Sequence, residues 1–587
     1  MKRAMISVAK WAWFGLLMLI AFGYMASGLS KPGEVDENET PTGVRQVSAE
    51  NAVLDGAEQL AETRIPTLDA AAGASSAQLN SSESVDSIES VVDAVNLARQ
   101  QAMLDAEVES APTADWMTIC RRLSLAMVGS GMSLEEIRHL ESLPASERES
   151  AHLESLLHDG RFHDYWGERW MRYLVNDEGP FLVFRRRRFG HWLSENIAAN
   201  RPYDAIVRDL ITAEGLWTDR PQVNFLTVTF DSNDGSPDPV RLAARTCRAF
   251  LGLRIDCLQC HDDFLGNVNL GDADDRRGGR QQDFHQLAAF YSSAKTNGLQ
   301  GVRTEDVDYK FQYLDADDTV DVEATVPYQS DLLPQDGNPR ERLAHWVTHP
   351  EHRQFSRAAI HRFWALMFGR SITDAVDNLP LDEAANPVLD PIIEDFQSHR
   401  DIHRTIRIIA ATDAFRADSK ADYEITARHE NNFAAFPLTR LRAEQVAGAI
   451  TQASKIKSID RQSSLLVQLM RFGAINDFLK RYGDLGENEF SKDGITIPQR
   501  LMMLNGNVLN EAAKSEPLLN TTGHLKSFAK DDSLAVDVAF LCLLNRHASE
   551  AEVEYFADKL QQADGRGNGL VDLFWMLANS TEFAWNH

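Results

Sequence analysis

Cys257-Leu258-Gln259-Cys260-His261 places two thiols and an imidazole within one short stretch. The spacing C-x-x-C-H is the attachment signature of c-type haem. Two thiols one turn apart can each add across a haem vinyl group, sulfur to one carbon and hydrogen to the other. The neighbouring imidazole then reaches the iron as proximal ligand. Cys257, Cys260 and His261, joined by one more histidine, also suit a Zn, Fe or Cu ion. A local Cys257–Cys260 disulfide with a structural His261, and so no cofactor, is the third reading in an oxidising compartment. For a sixth iron ligand the sequence offers His163, His191 and His285, with His285 favoured as structural.

Such haem is attached outside the cytoplasm, so the motif requires an export signal, and residues 1–31 have that form. Lys2, Arg3 and Lys10 precede an uncharged, mostly apolar run from Trp11 to Leu29. A cleaved signal carries an apolar core of about 7–15 residues, whereas a spanning helix needs about 20. The run favours a single-pass inner-membrane anchor with the body in the periplasm. Cleavage near Ala26-Ser27-Gly28, releasing the chain to the periplasm, is the alternative. Residues 32–112 contain no Trp, Tyr or Phe and are rich in Ser, Ala, Asp and Glu, which describes an acidic, disordered tether. A loose helix is expected at about 84–108.

The elements that must position the motif come next. Residues 113–300 read as helical. Ser133 before Leu134-Glu135-Glu136, and Asp238 before Pro239, have the form of helix starts. Phe162, Tyr165, Trp166, Trp170, Tyr173 and Leu174 make an apolar stripe at helical spacing. The helix opened by Asp238 runs towards Cys257, a Gly- and Asp-rich loop follows at 262–282, and another helix starts at Asp283. Within residues 301–338, Val307 to Val326 alternate apolar and polar side chains, as in Thr319 to Val326, and predict a small sheet or hairpin. Residues 339–587 return to a helical pattern, with Ser549 as a further cap. The expected fold is mostly α, in two helical domains joined by this small β segment.

Composition narrows the partners. The net charge of −28 argues against binding nucleic acid. Cys120, Cys247 and Cys542 lie in apolar helical patterns and read as buried thiols. Arg185-Arg186-Arg187-Arg188 reads as a solvated helix start near Asp177 and Glu178, with an anion clamp as the competing reading. Asp262, Asp263, Asp272, Asp274 and Asp275 lack the alternation of a Ca²⁺ loop and read as a flexible acidic loop. No Ser-His-Asp order, phosphate-binding Gly loop or H-E-x-x-H motif occurs.

Several segments, in order, carry a resemblance. Ile119-Cys120-Arg121-Arg122-Leu123-Ser124-Leu125, Tyr165-Trp166-Gly167-Glu168-Arg169-Trp170, Arg201-Pro202-Tyr203-Asp204 and the Cys257–Asp262 motif fall in the first half. Arg340 to Val347, His361-Arg362-Phe363-Trp364, Phe368-Gly369-Arg370, Ala411 to Arg416, Arg442 to Val446 and Leu577 to Phe583 fall in the second. Over about 115–587 the chain resembles exported bacterial proteins, best known from planctomycetes. These pair two domains of unknown function numbered 1549 (a cytochrome-like domain) and 1553. The resemblance implies covalent c-type haem on Cys257 and Cys260 with His261 on the iron, and electron transfer with a periplasmic redox partner. Relatives are also associated with polysaccharide breakdown, so a non-redox helical binding or scaffold protein is the alternative, as is a metal-dependent enzyme using the same cluster. The chain departs from the family pattern in having Asp263 where a second His is common, and His285 where an aromatic is usual. Arg362, Trp364 and Arg370 match the second domain's signature, as packing residues or as pocket lining.

Overall fold

Helix starts are written locally in this chain, and the structure uses them. A computed structural model describes residues 81–175, 183–460 apart from 234 and 374, 507–514 and 520–587, with the single positions Ser463, Phe478, Phe490 and Leu504. The expected membrane anchor at 1–31, most of the tether, and Asp177 and Glu178 lie outside the described residues. Among the described residues no helix is long and apolar enough to cross a membrane.

Most described residues are helical. Helix α1 (Ser81–Asp105) is followed by α2 (Trp116–Val128), α3 (Leu134–Glu141), α4 (Arg148–Leu157), α5 (Gly160–Val175), α6 (Arg186–Ala198), α7 (Tyr203–Thr212) and α8 (Pro239–Thr246). Asp115 caps α2 through the Met117 and Thr118 amides. Ser133 and Glu136 close a capping box on α3, and Asp238 caps α8 ahead of Pro239. Each satisfies donors that a helix start otherwise leaves unpaired. The loose helix expected inside the tether is instead docked: Val95 of α1 is fully buried, and Arg99 donates to the Phe433 carbonyl at 2.6 Å.

The middle of the chain holds short hairpins: β1 (Asn269–Leu270) with β2 (Arg277–Gly278), β3 (Ala294–Thr296) with β4 (Val302–Thr304), and β5 (Lys310–Phe311) with β6 (Val320–Asp321), around α9 (Gln281–Ala289). The alternation at 319–326 does not become a long strand. Its inward side chains, Val322 and Val326, press onto the helical core, while Val320 stays exposed. The hairpin expected in 301–338 is thus present as β5 with β6, and its ladder stops at Asp321.

Helices α10 (Pro339–Val347), α11 (Arg353–Phe368), α12 (Asp390–His399) and α13 (Ile402–Ala411) then pack on α2–α8. The two segments expected on either side of 301–338 therefore share one core. The α5 stripe supplies Phe162, Trp166 and Trp170, and Phe363 of α11 meets Trp166 at 5.6 Å and Trp170 at 6.1 Å. Trp166, Trp170, Trp346 and Trp364 are fully buried, so none is a platform for stacking sugars at the surface. A second apolar cluster joins α14 (Ala443–Ala453), α15 (Asn507–Ala513), α16 (Thr521–Phe528), α17 (Asp532–Leu544), α18 (Glu550–Gln562) and α19 (Arg566–Ala578). Ser549 closes a capping box on α18 as expected. Strand β7 (Thr439–Arg440) pairs with β8 (Trp585–Asn586), returning the C-terminal residues to the main body.

Candidate functional site

Helix α8 continues into a wide turn, Cys247–Leu251, and ends at Gly252. Gly252 has φ +61°, the left-handed conformation that favours glycine, and a Cβ there would sit 2.9 Å from Leu379 Cδ1, so that side chain would have to shift. Leu253 and Ile255 bury into the core. Between them Arg254 makes a forked pair with Asp377 at 2.9 and 2.6 Å, and Arg248 bonds Asp256 at 2.8 Å. These contacts fix the entry to a single 3₁₀ turn, Asp256–Gln259, which carries the motif.

Within that turn Leu258 alone points inward and is fully buried; Cys257, Gln259, Cys260 and His261 are exposed. Leu258 is held by close approach of the backbone at Gly279, where a Cβ would lie 2.6 Å from Leu258 Cδ1. The other three cysteines are buried, as their patterns predicted, and all five are free thiols. The sequence-predicted trio thus lies at the surface, with Cys257 inside the 3₁₀ turn, Cys260 at its end and His261 just after it.

The electrostatics separate two kinds of thiol chemistry. Burial, and then the Asp263 carboxylate, push the Cys257 thiol above its ordinary value. A thiol–disulfide exchange site needs the opposite, a thiolate favoured by cations or a helix start. His261 Nδ1 lies 2.6 Å from the Asp262 carbonyl and donates to it, which leaves Nε2 as the free lone pair. Metal-bound histidines are oriented in this way, by a carbonyl on the non-ligating nitrogen. The Phe264 ring lies alongside the imidazole, with centroids 6.0 Å apart, and Phe264 and Leu265 are largely exposed, giving the loop an apolar outer face.

The loop after the motif is organised by its acids rather than left loose. Asp263 accepts from the Val268 amide at 2.7 Å and the Leu265 amide at 3.0 Å, and these backbone donors hold its carboxyl below the usual range. Asp262 accepts from the Gln281 amide at 2.8 Å at the start of α9, and Asp272 from the Gln329 amide at 2.6 Å. Among the described residues no three His, Cys, Asp or Glu side chains converge as a metal-ion cluster. Cys257, Cys260 and His261 are therefore not themselves gathered as three ligands of a Zn, Fe or Cu ion.

The candidate sixth ligands are engaged elsewhere. His285 is fully buried, donates from Nε2 to the Gln259 carbonyl at 3.0 Å, and accepts from the Tyr309 hydroxyl at 2.9 Å. Phe311 stacks on its ring at 3.4 Å between centroids. Gln281 Nε2 shares the Gln259 carbonyl at 3.1 Å, so two side chains of α9 bracket the turn from below. His163 is buried, with Nε2 at 3.0 Å from the Leu157 carbonyl, and His191 pairs with Glu195 at 3.2 Å. His285→Leu is expected to leave the Gln259 carbonyl and the Tyr309 hydroxyl short of a partner, at about 1–3 kcal/mol; chemical denaturation checks this, and a change below about 0.5 kcal/mol contradicts the bracket.

The other residues singled out have structural partners. Arg185 and Arg186 begin α6, with the Arg185 amide on Asn224, Arg186 paired with Glu168, and Arg188 on the Thr218 carbonyl. Arg362 lies over the Tyr173 ring at 3.9 Å, Trp364 stacks on Phe368 at 4.2 Å, and Arg370 bonds Glu430 at 2.6 Å. Sequence reasoning did not find Arg254, Asp377 and Gln281 as the supports of the motif. Arg254 and Asp377 are 123 positions apart, and no local pattern announces such a pair.

Comparison with known families gives two matches. Residues 92–296 match Protein of unknown function (DUF1549), and residues 339–467 match Protein of unknown function (DUF1553). The first match begins inside α1, in line with that helix docking on the body. No curated protein and no solved structure matches the chain.

Proposed function

The chain belongs to the proteins that pair domain of unknown function 1549 with domain of unknown function 1553, and we propose that it is an exported, membrane-tethered carrier of covalent c-type haem that exchanges electrons with a periplasmic partner. The observation that carries the reading is the contrast among the thiols. Cys257 and Cys260 are exposed on one turn beside His261, while Cys120, Cys247 and Cys542 are buried.

The donor set fits the group. Cys257 and Cys260 would hold it by thioether bonds, and His261 would ligate the iron through Nε2, since Nδ1 is committed to the Asp262 carbonyl. Bound in this way, haem supplies a one-electron couple. Leu258 and the Gln259 carbonyl anchor the turn to the core and to α9. Phe264 and Leu265 offer apolar surface next to His261. The net charge of −28 suits docking to a basic redox partner. The run Trp11–Leu29 would tether the body to the inner membrane, with release to the periplasm after cleavage as the variant form.

The test is a haem stain on a denaturing gel together with a pyridine haemochrome spectrum. The exported protein is made in a host with cytochrome c maturation and compared with Cys257→Ala/Cys260→Ala. Covalent haem in the wild type and none in the double variant is the expected result. An unstained wild type, beside a control cytochrome that matures normally, overturns the reading.

A further inference from the structure

We propose that the β5–β6 hairpin and the apolar loop after the motif form one docking face for a protein that presents a lysine- and arginine-rich surface with an apolar centre; as the face of a redox partner, this rests on the haem reading above. The hairpin is fastened to the motif turn. Tyr309, Phe311 and Tyr313 gather on the His285 ring, with centroids 6.1, 3.4 and 6.0 Å away. His285 and Gln281 both bond the Gln259 carbonyl inside the turn, and Gln281 Oε1 accepts from the Leu314 amide at 3.0 Å. The Gln281 amide in turn donates to Asp262, next to His261.

Charge selects the occupant. Residues 305–323 carry eight Asp and Glu against one Lys, a quarter of the net charge of −28. All eight carboxylates are exposed. Among the described residues only Asp321 has an ion-pair partner, Lys310 at 3.4 Å. The acids of the motif loop differ, because Asp262, Asp263 and Asp272 are committed to backbone amides. Among the described residues no three acids of the hairpin converge on one point that would hold a metal ion. Negative charge spread over a face matches a broad cationic surface, and it repels anionic lipid.

Apolar side chains supply the centre. Leu314 in the hairpin loop is 68% exposed, and Phe264 and Leu265 beside His261 are 78% and 84% exposed. Large apolar groups collected within a polar rim mark a protein-binding surface. In such an interface the rim charges steer the encounter and fix its orientation, while the apolar centre supplies the contact. Docking here sets the partner against the turn that carries Cys257 and Cys260.

The experiment is calorimetric titration of the full-length, haem-matured protein with a basic cytochrome c as probe, and with an acidic flavodoxin as the opposite charge, at about 20 mM and about 150 mM salt. Three variants are run beside the wild type, with melting temperatures recorded. Asp315→Asn/Asp317→Asn/Asp318→Asn is expected to weaken the basic probe about tenfold at the lower salt. Leu265→Ser/Leu314→Ser is expected to weaken it about fivefold at both salts. Glu550→Gln/Glu554→Gln/Asp558→Asn removes the same charge from α18 and is expected to change binding less than about twofold. The proposal is overturned by no binding of the basic probe at the lower salt, by equal weakening in the two charge variants, by wild-type binding in either of the first two variants, or by equally tight binding of the flavodoxin. Haem content is read separately from a pyridine haemochrome spectrum, and the titrations are repeated on Cys257→Ala/Cys260→Ala. A wild type without haem overturns the electron-transfer reading while the variant comparison still tests the face. A haem-loaded chain whose hairpin variant binds like the wild type overturns the face alone.

Discussion

Arg122→Ala is expected to cost about 3–5 kcal/mol, enough to leave most of a marginally stable chain unfolded at 37 °C. Arg122 is fully buried on α2. Its guanidinium donates to the Phe415 carbonyl at 2.7 Å, the Ala417 carbonyl at 2.8 Å and the His587 carbonyl at 2.9 Å, and lies 3.7 Å over the Phe436 ring. One side chain therefore ties α2 to the segment after α13 and to the last residue of the chain. Truncation strands three carbonyls, and burial gives water no ready route to them. Burial also pulls the guanidinium down to about 9, which still leaves it charged at neutral pH. Arg122→Lys should recover less than half of the loss, because a point-like ammonium cannot span three acceptors in a plane. Urea denaturation of both variants gives the answer, and a loss below about 1 kcal/mol for Arg122→Ala would remove the residue from this role.

The second large effect is acid sensitivity that begins well above the carboxylate range. His152 and His403 are lowered to about 4, and His352 and His361 to about 3, in each case chiefly by burial. A histidine with a depressed folded value binds its proton in the unfolded chain first. Stability is therefore complete above the unfolded value of about 6.5 and falls as pH drops below it. Each such group contributes up to about 1.4 kcal/mol per pH unit, so even half of the four-proton total removes about 3 kcal/mol between pH 6 and pH 5. His352 offers the sharpest check. It is fully buried, neither ring nitrogen has a hydrogen-bond partner, and it packs at 4.7 Å against Trp346 and 5.4 Å against Tyr328. His352→Phe keeps the aromatic contacts and removes two unsatisfied nitrogens. It should raise stability at pH 7 by about 1–3 kcal/mol and make the acid limb shallower by up to one proton. Denaturation curves from pH 7.5 to 4.5 decide it; a flat profile from pH 7 to 5 contradicts the burial of all four.

What the sequence revealed was what it encodes locally. Ser133, Asp238 and Ser549 announce their helices because a cap involves residues two or three apart. The Phe162–Leu174 stripe announces α5 because one face repeats every turn. The alternation at 319–326 announced a hairpin, and the structure has one, but only Val320–Asp321 of that run is strand, since alternation records which side chains face inward and not how far a partner strand extends. The motif residues themselves were legible by type and spacing. Their supports were not. His285 and Gln281 reach back to the Gln259 carbonyl across more than twenty residues, and Arg254 and Asp377 meet across 123. The shared core of α2–α8 and α10–α13 was hidden for the same reason, because a helical stripe shows that a partner exists without showing which one.

Folding sorts the five thiols of this chain. Before it is complete, Cys120, Cys247 and Cys542 compete with Cys257 and Cys260 for any oxidant or electrophile, and mispairing is open to all of them. Afterwards three are enclosed and two remain exposed on one short turn. Errors of cross-linking are thereby confined to the nascent chain, and an agent that arrives late, whether enzyme, prosthetic group or labelling reagent, meets one address. Modification of this protein need not race against its folding.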